Sequence, residues 1–470
     1  MRPLTGSAGE AIVRRMCRPV SRGCALGAGL LVLANAALAA DDRKPVVLND
    51  DAGWCWFQDE RALVIGDRLI FGSVAAGRTD EARRGAVEAT SVDLRTGAAT
   101  RTRLSATPVE RAGRYDDHDA PAFVVRSDSR ILAAWAGHGF DNRILSRVSQ
   151  APGDPGAWSE ERAFVPSPAS KVSYTNLMRL GAERGRIYDF FRGLDDRFKP
   201  SVAWSDDGGE KWTAGGVVID VPAAFRHRPY VKYASDGKGV VHLVYTEGHP
   251  RDFDNSLYHV YYQGGTLHRS DGSVIRSLAE GLREPAEGTR IFQGDPQNVA
   301  WVSDVELDAN GRPSVAYSVQ KDSAGLPPGQ GGTDHRYRLA RWNGKAWEDH
   351  ELAHAGTRLY AGEDDYTGGV ALVPGDPTRV FLSTNADPLG GAPLASAADG
   401  KRHWEIFRGE TKDAGRTWRF EAVTRDSVFD NLRPIVPRST GGSPILLWLR
   451  GSYRAYTDYA QEAVGLLPRR

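Results

Sequence analysis

The stretch AFVVRSDSRILAAWAGHG, residues 122–139, decides the fold, because its pattern recurs along the whole chain. A short apolar run is followed by a Ser/Asp turn and then by a second apolar run that ends near an aromatic side chain. Apolar runs of this length, separated by Gly, Asp and Ser turns, are typical of β-hairpins. The same pattern begins at six other places, which makes seven copies: Ala62, Asn176, Tyr230, Asp304, Val370 and Pro434.

The seven hairpins predict a β-propeller. Successive second strands lie 54 to 72 residues apart, which suits a four-stranded blade with generous loops. The turns SDDGGEKW (205–212) and TKDAGRTW (411–418) resemble Asp-boxes, tight hairpin turns in which an Asp caps the turn and a Trp packs beneath it. Seven evenly spaced copies argue against the alternative, a two-sheet sandwich with a second domain.

The last repeat runs short of residues, so another part of the chain must complete its blade. The strand PVVLN, residues 45–49, is placed to do so and to close the ring. Closure removes the exposed strand edges that an open sheet would present. We therefore predict an all-β fold, a seven-bladed β-propeller with four-stranded antiparallel blades and an N-terminal strand closing the last blade.

Residues 1–40 have the features of a secretory signal peptide: a basic lead, an apolar run and small residues near Ala39 and Ala40, where we expect cleavage. The alternative, an uncleaved membrane anchor, is disfavoured by the short apolar run. We predict a secreted or periplasmic protein with no membrane span, in which residues 41–470 form a single propeller domain. Cys17 and Cys24 leave with the signal, so Cys55 has no intrachain disulfide partner.

The charge balance excludes one class of partner. The chain has 60 basic and 60 acidic side chains, and the leader carries more basic than acidic ones, so the remainder is mildly acidic. No overall positive field favours nucleic acid. A closed propeller needs no partner to cover its edges, so we expect a monomer.

Polar residues cluster at positions that a propeller would gather on one face. Residues that precede the first strand of a blade and residues that follow its second strand emerge on the same face, here called the mouth. His118 and His138 flank the hairpin of blade 2, and Tyr174 and Arg192 flank that of blade 3. Other blades place further candidate substrate-binding residues there: Trp56, Arg228, Tyr230, His249, Arg251, Asp365, Tyr366, Arg433 and Arg450.

Each of these residues also has an ordinary structural interpretation. A His at a strand end is usually a hydrogen-bonded loop residue, and Arg192 or Arg450 would serve equally in an ion pair between blades. The joint pattern is more informative than any single residue. Two His, a Tyr and an Arg are expected to converge from adjacent blades, without a paired carboxylate nearby on those blades.

Such a group suits an anionic substrate that must lose a proton. An Arg fork matches a carboxylate, and fixed donors around that carboxylate stabilise the charge that builds up when the neighbouring proton leaves. A Tyr or His within reach can move the proton. The predicted chemistry is β-elimination beside a sugar carboxylate, which is lyase chemistry.

Several segments resemble the BNR-repeat-containing family of propeller polysaccharide lyases, which includes ulvan lyases and lyases of rhamnose–glucuronate linkages. They are GWCWFQDERAL from residue 53, YTNLMRL from 174, RIYDFFRG from 186, RPYVKYASDG from 228 and TEGHPRDFDNSLYHVYY from 246. The resemblance covers most of the chain after the leader and is densest from about residue 54 to 265.

The resemblance implies a secreted lyase that cleaves an anionic, uronate-containing polysaccharide and leaves a 4,5-unsaturated uronate end. It implies Tyr174 as the proton-transferring residue, and Arg192 with His118 as neutralisers of the carboxylate. His118 or His138 would act as the base for the other uronate stereochemistry. Arg228 and Tyr230 match substrate-binding positions of the family.

The sequence gives no clear sign of a cofactor. Some members of the family carry a structural metal ion, so a structural calcium or zinc ion stays open here, but no clear motif supports it and β-elimination requires none.

Two other functions stay open. A propeller glycoside hydrolase of sialidase or rhamnosidase type would use paired carboxylates, for which Asp364 and Asp365 are candidates, although the Arg-Ile-Pro signature of sialidases is missing. A non-catalytic sugar-binding propeller would use Trp54, Trp56, Tyr230 and Tyr366 as stacking platforms.

Overall fold

The computed structural model describes residues 42–106, 114–194, 198–221, 228–322, 326–327, 329–439 and 442–468. The predicted signal peptide and its cleavage site lie outside these residues. The described chain forms seven antiparallel sheets that follow one another in sequence, and its helical segments are single 3₁₀ turns of three residues. The predicted seven-bladed propeller is therefore confirmed. No helix in the described ranges is both long and apolar enough to cross a membrane.

Strand β1 precedes the blades, which we number in chain order; it spans Val46–Asn49. The strands of blades 1 to 3 are, in order, Ala62–Ile65 (β2), Arg68–Val74 (β3), Val87–Asp93 (β4) and Ala99–Arg103 (β5); Ala122–Val125 (β6), Ile131–Ala136 (β7), Ile144–Ala151 (β8), Asp154–Trp158 (β9) and Arg162–Phe164 (β10); and Leu177–Leu180 (β11), Arg186–Gly193 (β12), Lys199–Ser205 (β13) and Thr213–Val217 (β14).

Blade 4 is the largest blade, with six strands, and blades 5 to 7 have four each once β1 joins blade 7. Their strands are Val231–Ser235 (β15), Val240–Tyr245 (β16), Leu257–Gln263 (β17), Thr266–His268 (β18), Val274–Ser277 (β19) and Thr289–Phe292 (β20); Val299–Leu307 (β21), Pro313–Gln320 (β22), His335–Trp342 (β23) and Trp347–Gly356 (β24); Val370–Val373 (β25), Asp376–Thr384 (β26), Glu405–Glu410 (β27) and Arg419–Ala422 (β28); and Asp430–Ile435 (β29), Leu446–Ala455 (β30) and Asp458–Leu466 (β31).

Strand β1 closes the ring as predicted. It pairs antiparallel with β31, with Val46 opposite Gly465 and Val47 opposite Val464. The Asn49 side chain then reaches blade 1, where its amide donates to Ser73 Oγ at 3.3 Å and to Thr90 Oγ1 at 3.1 Å. The N-terminal strand thus joins the last blade to the first.

The core lies between the blades and is lined mainly by their second strands. Every side chain of β7 and β22 is buried, because each of these strands packs against a neighbouring blade on both faces. This two-sided burial explains the continuous apolar runs, since a strand with one solvent-exposed face would alternate polar and apolar residues. The seven residues that mark the second strands are all buried: Phe71, Trp135, Phe191, Tyr245, Tyr317, Thr384 and Trp448.

Both predicted Asp-box turns form. Asp207 accepts hydrogen bonds from the backbone N–H groups of Glu210 and Lys211 at 3.1 and 2.9 Å. Asp413 accepts from the N–H and hydroxyl of Thr417, and Trp418 is buried beneath that turn. These contacts fix the hairpins on the outer half of blades 3 and 6.

Candidate active site

The hairpin of blade 2 brings His118 and His138 together at the mouth. Their rings stack with centroids 4.0 Å apart and planes 8° apart. One carboxylate holds both rings, because Asp116 accepts from His118 Nδ1 at 2.6 Å and from His138 Nδ1 at 3.0 Å. Since both Nδ1 atoms face Asp116, the Nε2 atoms are left for a ligand.

The expectation that this group has no nearby carboxylate was wrong. Asp116 and Asp117 are buried beside His118, at the start of a 3₁₀ turn in which the Asp116 side chain accepts from the backbone N–H of His118. Their signal was present in the sequence as YDDHD, residues 115–119. Asp–His pairs so close in sequence meet only when the backbone turns there, and the hairpin pattern does not reveal such a turn.

Asp116, His118 and His138 differ in their protonation states near neutral pH. Burial favours the neutral acid, but the two adjacent imidazoles outweigh it and hold the pKa of Asp116 well below its usual range. Burial also opposes charge on His118, yet Cys55, Tyr174 and the carboxylates of Asp116 and Asp117 raise its pKa well above 6.5. Burial and the charge on His118 lower the pKa of His138 to about 4. Near neutral pH the stacked pair therefore carries one positive charge, on His118.

Tyr174 and Arg192 join this pair from blade 3. The Tyr174 ring centroid lies 5.7 Å from that of His118 and 6.0 Å from that of His138. Arg192 Cζ lies 4.4 Å from the Tyr174 ring centroid. The structure thus brings together the four residues predicted to be catalytic.

The local backbone explains how Tyr174 reaches this position. Ser173 and Arg192 form an antiparallel bridge with two hydrogen bonds of 2.9 Å. The next residue, Tyr174, has φ of 63°, a left-handed conformation that costs a non-glycine residue on the order of 1 kcal/mol. This turn directs the phenol toward the histidines instead of continuing the strand.

Arg192 is prepared for an anion. Its Nη2 donates to Ser173 Oγ at 3.3 Å. Its Nε and Nη1 are buried and have no hydrogen-bond partner among the described residues. Buried guanidinium donors are costly to leave unsatisfied, so this arrangement is expected where a ligand supplies the missing acceptors.

Tyr230 and Arg228 lie on the other side of Arg192. Arg192 Cζ is 4.6 Å from the Tyr230 ring centroid, so the guanidinium lies between two phenol rings. The Tyr230 hydroxyl interacts with the guanidinium groups of both Arg192 and Arg228. The Nε of Arg228 is buried without a partner among the described residues.

His249 extends the site toward blade 6. Its ring meets Tyr230 edge to face at 5.4 Å, and its two nitrogens lie 4.0 Å from carboxylate oxygens of Glu363 and Asp365. Burial raises the pKa of Asp365 to about 8. Arg251 pairs with Glu363 at 2.5 Å. The sequence reasoning missed Glu363, which precedes the predicted strand of blade 6 by several residues.

Aromatic side chains form the wall between these groups. Trp56 and Tyr366 meet edge to face at 5.2 Å, and each also contacts Trp301. Tyr456 stands nearly perpendicular to both histidine rings, at 5.0 and 5.6 Å. Trp301 and Tyr456 were not singled out in the sequence, because aromatic residues at strand ends usually belong to the core.

The two remaining predicted residues make internal ion pairs. Arg433 is buried, where it pairs with the Asp117 carboxylate and donates to Trp54 O and Tyr453 Oη at 2.5 Å. Through its pair with Asp117, Arg433 stabilises the turn that carries His118. Arg450 pairs with Glu462 on the adjacent strand at 2.7 Å. Substrate binding by Arg433 and Arg450 stays a prediction.

Three groups of described residues have ligand atoms close enough to hold a metal ion: Cys55, Asp117 and His118; Asp116, His118 and His138; and His249, Glu363 and Asp365. In the first, Asp117 already pairs with Arg433. In the second, Asp116 holds both imidazoles. In the third, the Arg251 guanidinium pairs with Glu363, and the Arg251 backbone N–H donates to His249 Nδ1. We therefore treat these groups as acid–base and ion-pair clusters.

Comparison with known proteins places the chain in a family. The model of the BNR repeat-containing family matches residues 55–355, which include blades 1 to 4 and most of blade 5. The chain belongs to the BNR repeat-containing family. The matched region contains the stacked histidines, Tyr174, Arg192 and Tyr230. Among curated proteins, none matches this chain.

Solved structures resemble this BNR repeat-containing protein to different degrees. An ulvan lyase of polysaccharide lyase family PL25, bound to -[GlcA(1-4)Rha3S]-, superposes with a TM-score of 0.66 and 15% identity, over 89% of this chain and 95% of that chain. An α-L-arabinofuranosidase of family GH93 from Fusarium graminearum, in complex with arabinobiose, gives a TM-score of 0.40 and 14% identity, over 73% of this chain and 91% of that chain. At 15% identity, the likeness to the ulvan lyase shows the fold alone, so the chemistry must come from the side chains.

Proposed function

We propose that this protein is a polysaccharide lyase that cleaves a uronate-containing polysaccharide by β-elimination and leaves a 4,5-unsaturated uronate end. The observation that carries the proposal is the buried Arg192 guanidinium, with two unpaired donors, beside Tyr174 and a stacked His pair of single positive charge. Family membership and the fold shared with an ulvan lyase support it.

The first task of the site is to bind and neutralise the uronate carboxylate. Arg192 offers its unpaired Nε and Nη1, and His118 offers its protonated Nε2. Both groups are buried, so their attraction for an anion is screened little by water. Because the charge on the carboxylate grows as the adjacent proton leaves, these donors stabilise the transition state more than the bound substrate.

The second task is proton transfer. A base removes the hydrogen on the carbon next to the carboxylate, a double bond forms, and the bond to the glycosidic oxygen breaks. That oxygen must receive a proton as it departs. The Tyr174 phenol is suited to give it, because burial, against the opposing charges of Arg192 and His118, raises its pKa well above 10 and keeps it protonated.

We propose that the substrate resembles ulvan or another polymer with rhamnose–glucuronate linkages and that it is met outside the cytoplasm. The solved ulvan lyase binds a glucuronate–rhamnose sulfate chain, and residues 1–40 have the features of a signal peptide. Arg228, Arg251 and His249 along blade 4 would contact the sugars that flank the cleaved bond.

A second candidate function, glycoside hydrolysis, is favoured by one observation. Asp365 is buried with a pKa of about 8, so it is protonated near neutral pH, and the Glu363 carboxyl lies near it across His249. A protonated acid with a second carboxyl group is what a hydrolase requires. Asp364, the other carboxylate predicted for this role, is bound instead to Arg358 at 2.8 Å.

The test is a panel of uronate-containing polysaccharides incubated with the wild-type protein. A lyase produces new near-ultraviolet absorbance from the conjugated double bond, whereas a hydrolase produces reducing ends without it. We expect absorbance with at least one polymer. Arg192→Lys, which keeps the charge but loses the fork, should lower kcat/KM by about 100-fold.

The control is Arg454→Lys, which alters an exposed pair with Asp458 on blade 7. It should leave the rate unchanged. Reducing ends that appear without absorbance would establish the hydrolase. Binding of a polymer with no product would establish the sugar-binding propeller, and either result would overturn the lyase proposal.

A further inference from the structure

We infer that Tyr230 is a second catalytic residue, the base that removes the hydrogen beside the carboxylate, while Tyr174 protonates the departing oxygen. This inference rests on the proposed lyase function. It divides acid and base work between two phenols on either side of one guanidinium.

Both phenols lie beside the position that a carboxylate bound to Arg192 would occupy. Arg192 Cζ is 4.4 Å from the Tyr174 ring centroid and 4.6 Å from that of Tyr230, and the two ring centroids are 6.5 Å apart. A uronate whose carboxylate meets the free edge of this guanidinium therefore has one phenol on each side. The carbon that loses its proton and the carbon that loses its oxygen are neighbours in the sugar ring, which suits two groups at this separation.

The two hydroxyls have different surroundings, and the difference favours a base at Tyr230 and an acid at Tyr174. Two guanidinium groups, Arg192 and Arg228, interact with the Tyr230 hydroxyl. Burial opposes ionisation of Tyr230, but these two cations outweigh it and lower the pKa of the phenol below 10. At Tyr174, burial prevails over Arg192 and His118 and raises the pKa. Paired groups whose pKa values are pushed apart divide acid from base.

Among the described residues, the other groups that contact the Tyr230 ring add no negative charge. Phe57 and Trp301 pack against its ring at 4.9 and 5.5 Å. His249 meets it at 5.4 Å, and burial with the neighbouring arginines lowers the pKa of His249 well below 6.5, so this imidazole is neutral near pH 7. Within the described part of the chain, Arg192 and Arg228 are thus the cations that compensate a phenolate at Tyr230.

The step balances without water or an oxidant. Ionised Tyr230 takes the proton from C5 and becomes a neutral phenol. The electrons of that C–H bond form the C4–C5 double bond, and the bond from C4 to the glycosidic oxygen breaks. Tyr174 gives its proton to that oxygen and becomes a phenolate. Afterwards one proton passes from Tyr230 through solvent to Tyr174, which restores both groups.

A substrate with a leaving group that needs no proton separates the two roles. The probe is a 4-deoxy-4-fluoro glucuronide, from which fluoride departs without an acid. Tyr174→Phe should be slower than wild type by about 100-fold or more on the polysaccharide, but within about 10-fold on the fluoride probe. Tyr230→Phe should be slower by about 100-fold or more on both, with KM little changed because the ring remains.

A structural role for Tyr230 would give a different result, which a second measurement detects. Replacing Tyr230 by difluorotyrosine lowers the pKa of the phenol and should move the acidic limb of the kcat/KM profile to lower pH. Tyr337→Phe, which removes a buried hydroxyl bonded to Ser383 O in blade 5, should keep wild-type rates on both substrates.

Three results would overturn the inference. They are rates for Tyr230→Phe within 10-fold of wild type, rescue of Tyr230→Phe by the fluoride probe, and an acidic limb that does not move with difluorotyrosine. A wild-type protein that forms no unsaturated product from any uronate polymer, and releases no fluoride, would refute the lyase function itself.

Discussion

At the scale of single residues, Asp116 determines the orientation and charge of the stacked histidines, His118 and His138. It accepts from both Nδ1 atoms, so it fixes their orientation and leaves both Nε2 atoms toward a ligand. Only His118 is then charged near neutral pH, because burial and the repulsion of a cation at a ring separation of 4.0 Å keep His138 neutral. One cation and one neutral imidazole would suit the proposed lyase site, which has to bind an anion and move protons.

The neutral state of His138 predicts a loss of stability in acid. Its pKa is about 4 when folded and near 6.5 when unfolded. Between these values the unfolded chain binds a proton that the folded chain does not, so the free energy of unfolding falls as pH drops from 6.5 to 4. His138→Gln should make this fall shallower, as measured by urea unfolding at pH 7, 6, 5 and 4.

His403→Gln is the control for this prediction. The pKa of His403 is raised by its bonds to Asp399 and Asp430, against a burial effect that lowers it, so it is protonated in both states below pH 6.5. Its removal should leave the slope between pH 6.5 and 4 unchanged. Equal slopes for His138→Gln and the wild type would show that His138 is charged in the folded protein.

Arg433 predicts a large stability effect from a residue below the site. Its guanidinium is buried and pairs with the buried Asp117 carboxylate. Arg433→Met leaves that carboxylate with only His118 and the Tyr453 hydroxyl as described partners, and the loss of the buried guanidinium should lower the free energy of unfolding by about 3–5 kcal/mol. Arg454→Met breaks an exposed pair and should cost less than about 1 kcal/mol. Urea unfolding at pH 7 measures both, and equal effects would contradict the assignment.

At the scale of elements, the Asp-box turns are structural units away from the chemistry. Asp207→Ala removes the acceptor for two backbone N–H groups and should lower the free energy of unfolding by about 1–2 kcal/mol, with the proposed lyase activity unchanged. Asp206→Ala alters the adjacent residue, an exposed partner of Arg186, and should cost less than about 1 kcal/mol. Loss of activity in Asp207→Ala at a temperature where it is folded would show that blade 3 positions the site through this turn.

The sequence was sufficient for the elements whose pattern depends on burial. Runs such as Ile131–Ala136 are apolar because both faces are covered, so all seven hairpins could be found. The extra strands of blade 4, such as Thr266–His268, could not, because short and half-exposed strands carry little apolar signal. Topology alone gathered Tyr174, Arg192 and the histidines. The roles of Asp116 and Glu363 depend on local turns and side-chain directions, which a hairpin pattern does not fix.

At the scale of the whole molecule, one short strand holds the ring closed. Deleting residues 42–49 removes the pairing with β31, the burial of Leu48 and the bonds from Asn49 to blade 1. By typical values these contributions amount to about 4 kcal/mol. The truncated protein should unfold at lower urea and should elute as larger species from a sizing column, because the edge of β31 becomes exposed.

A double substitution is the control for the truncation. Val46→Thr with Val47→Thr changes two exposed side chains but keeps the backbone pairing. This variant should remain a single small species with near-normal stability. A truncated protein that elutes in the same way would show that the ring is held by the contacts between blades and not by the closing strand.

The pairing of Val46 with Gly465 also sets an order of events during synthesis. Strand β1 is synthesised long before its partner β31, so blades 1 to 6 can assemble on the growing chain before the ring closes. A chain stopped before Asp458–Leu466 would keep its earlier blades but leave two unsatisfied sheet margins. Such fragments would aggregate through these exposed strand edges. The same edges would make them substrates for quality-control proteases.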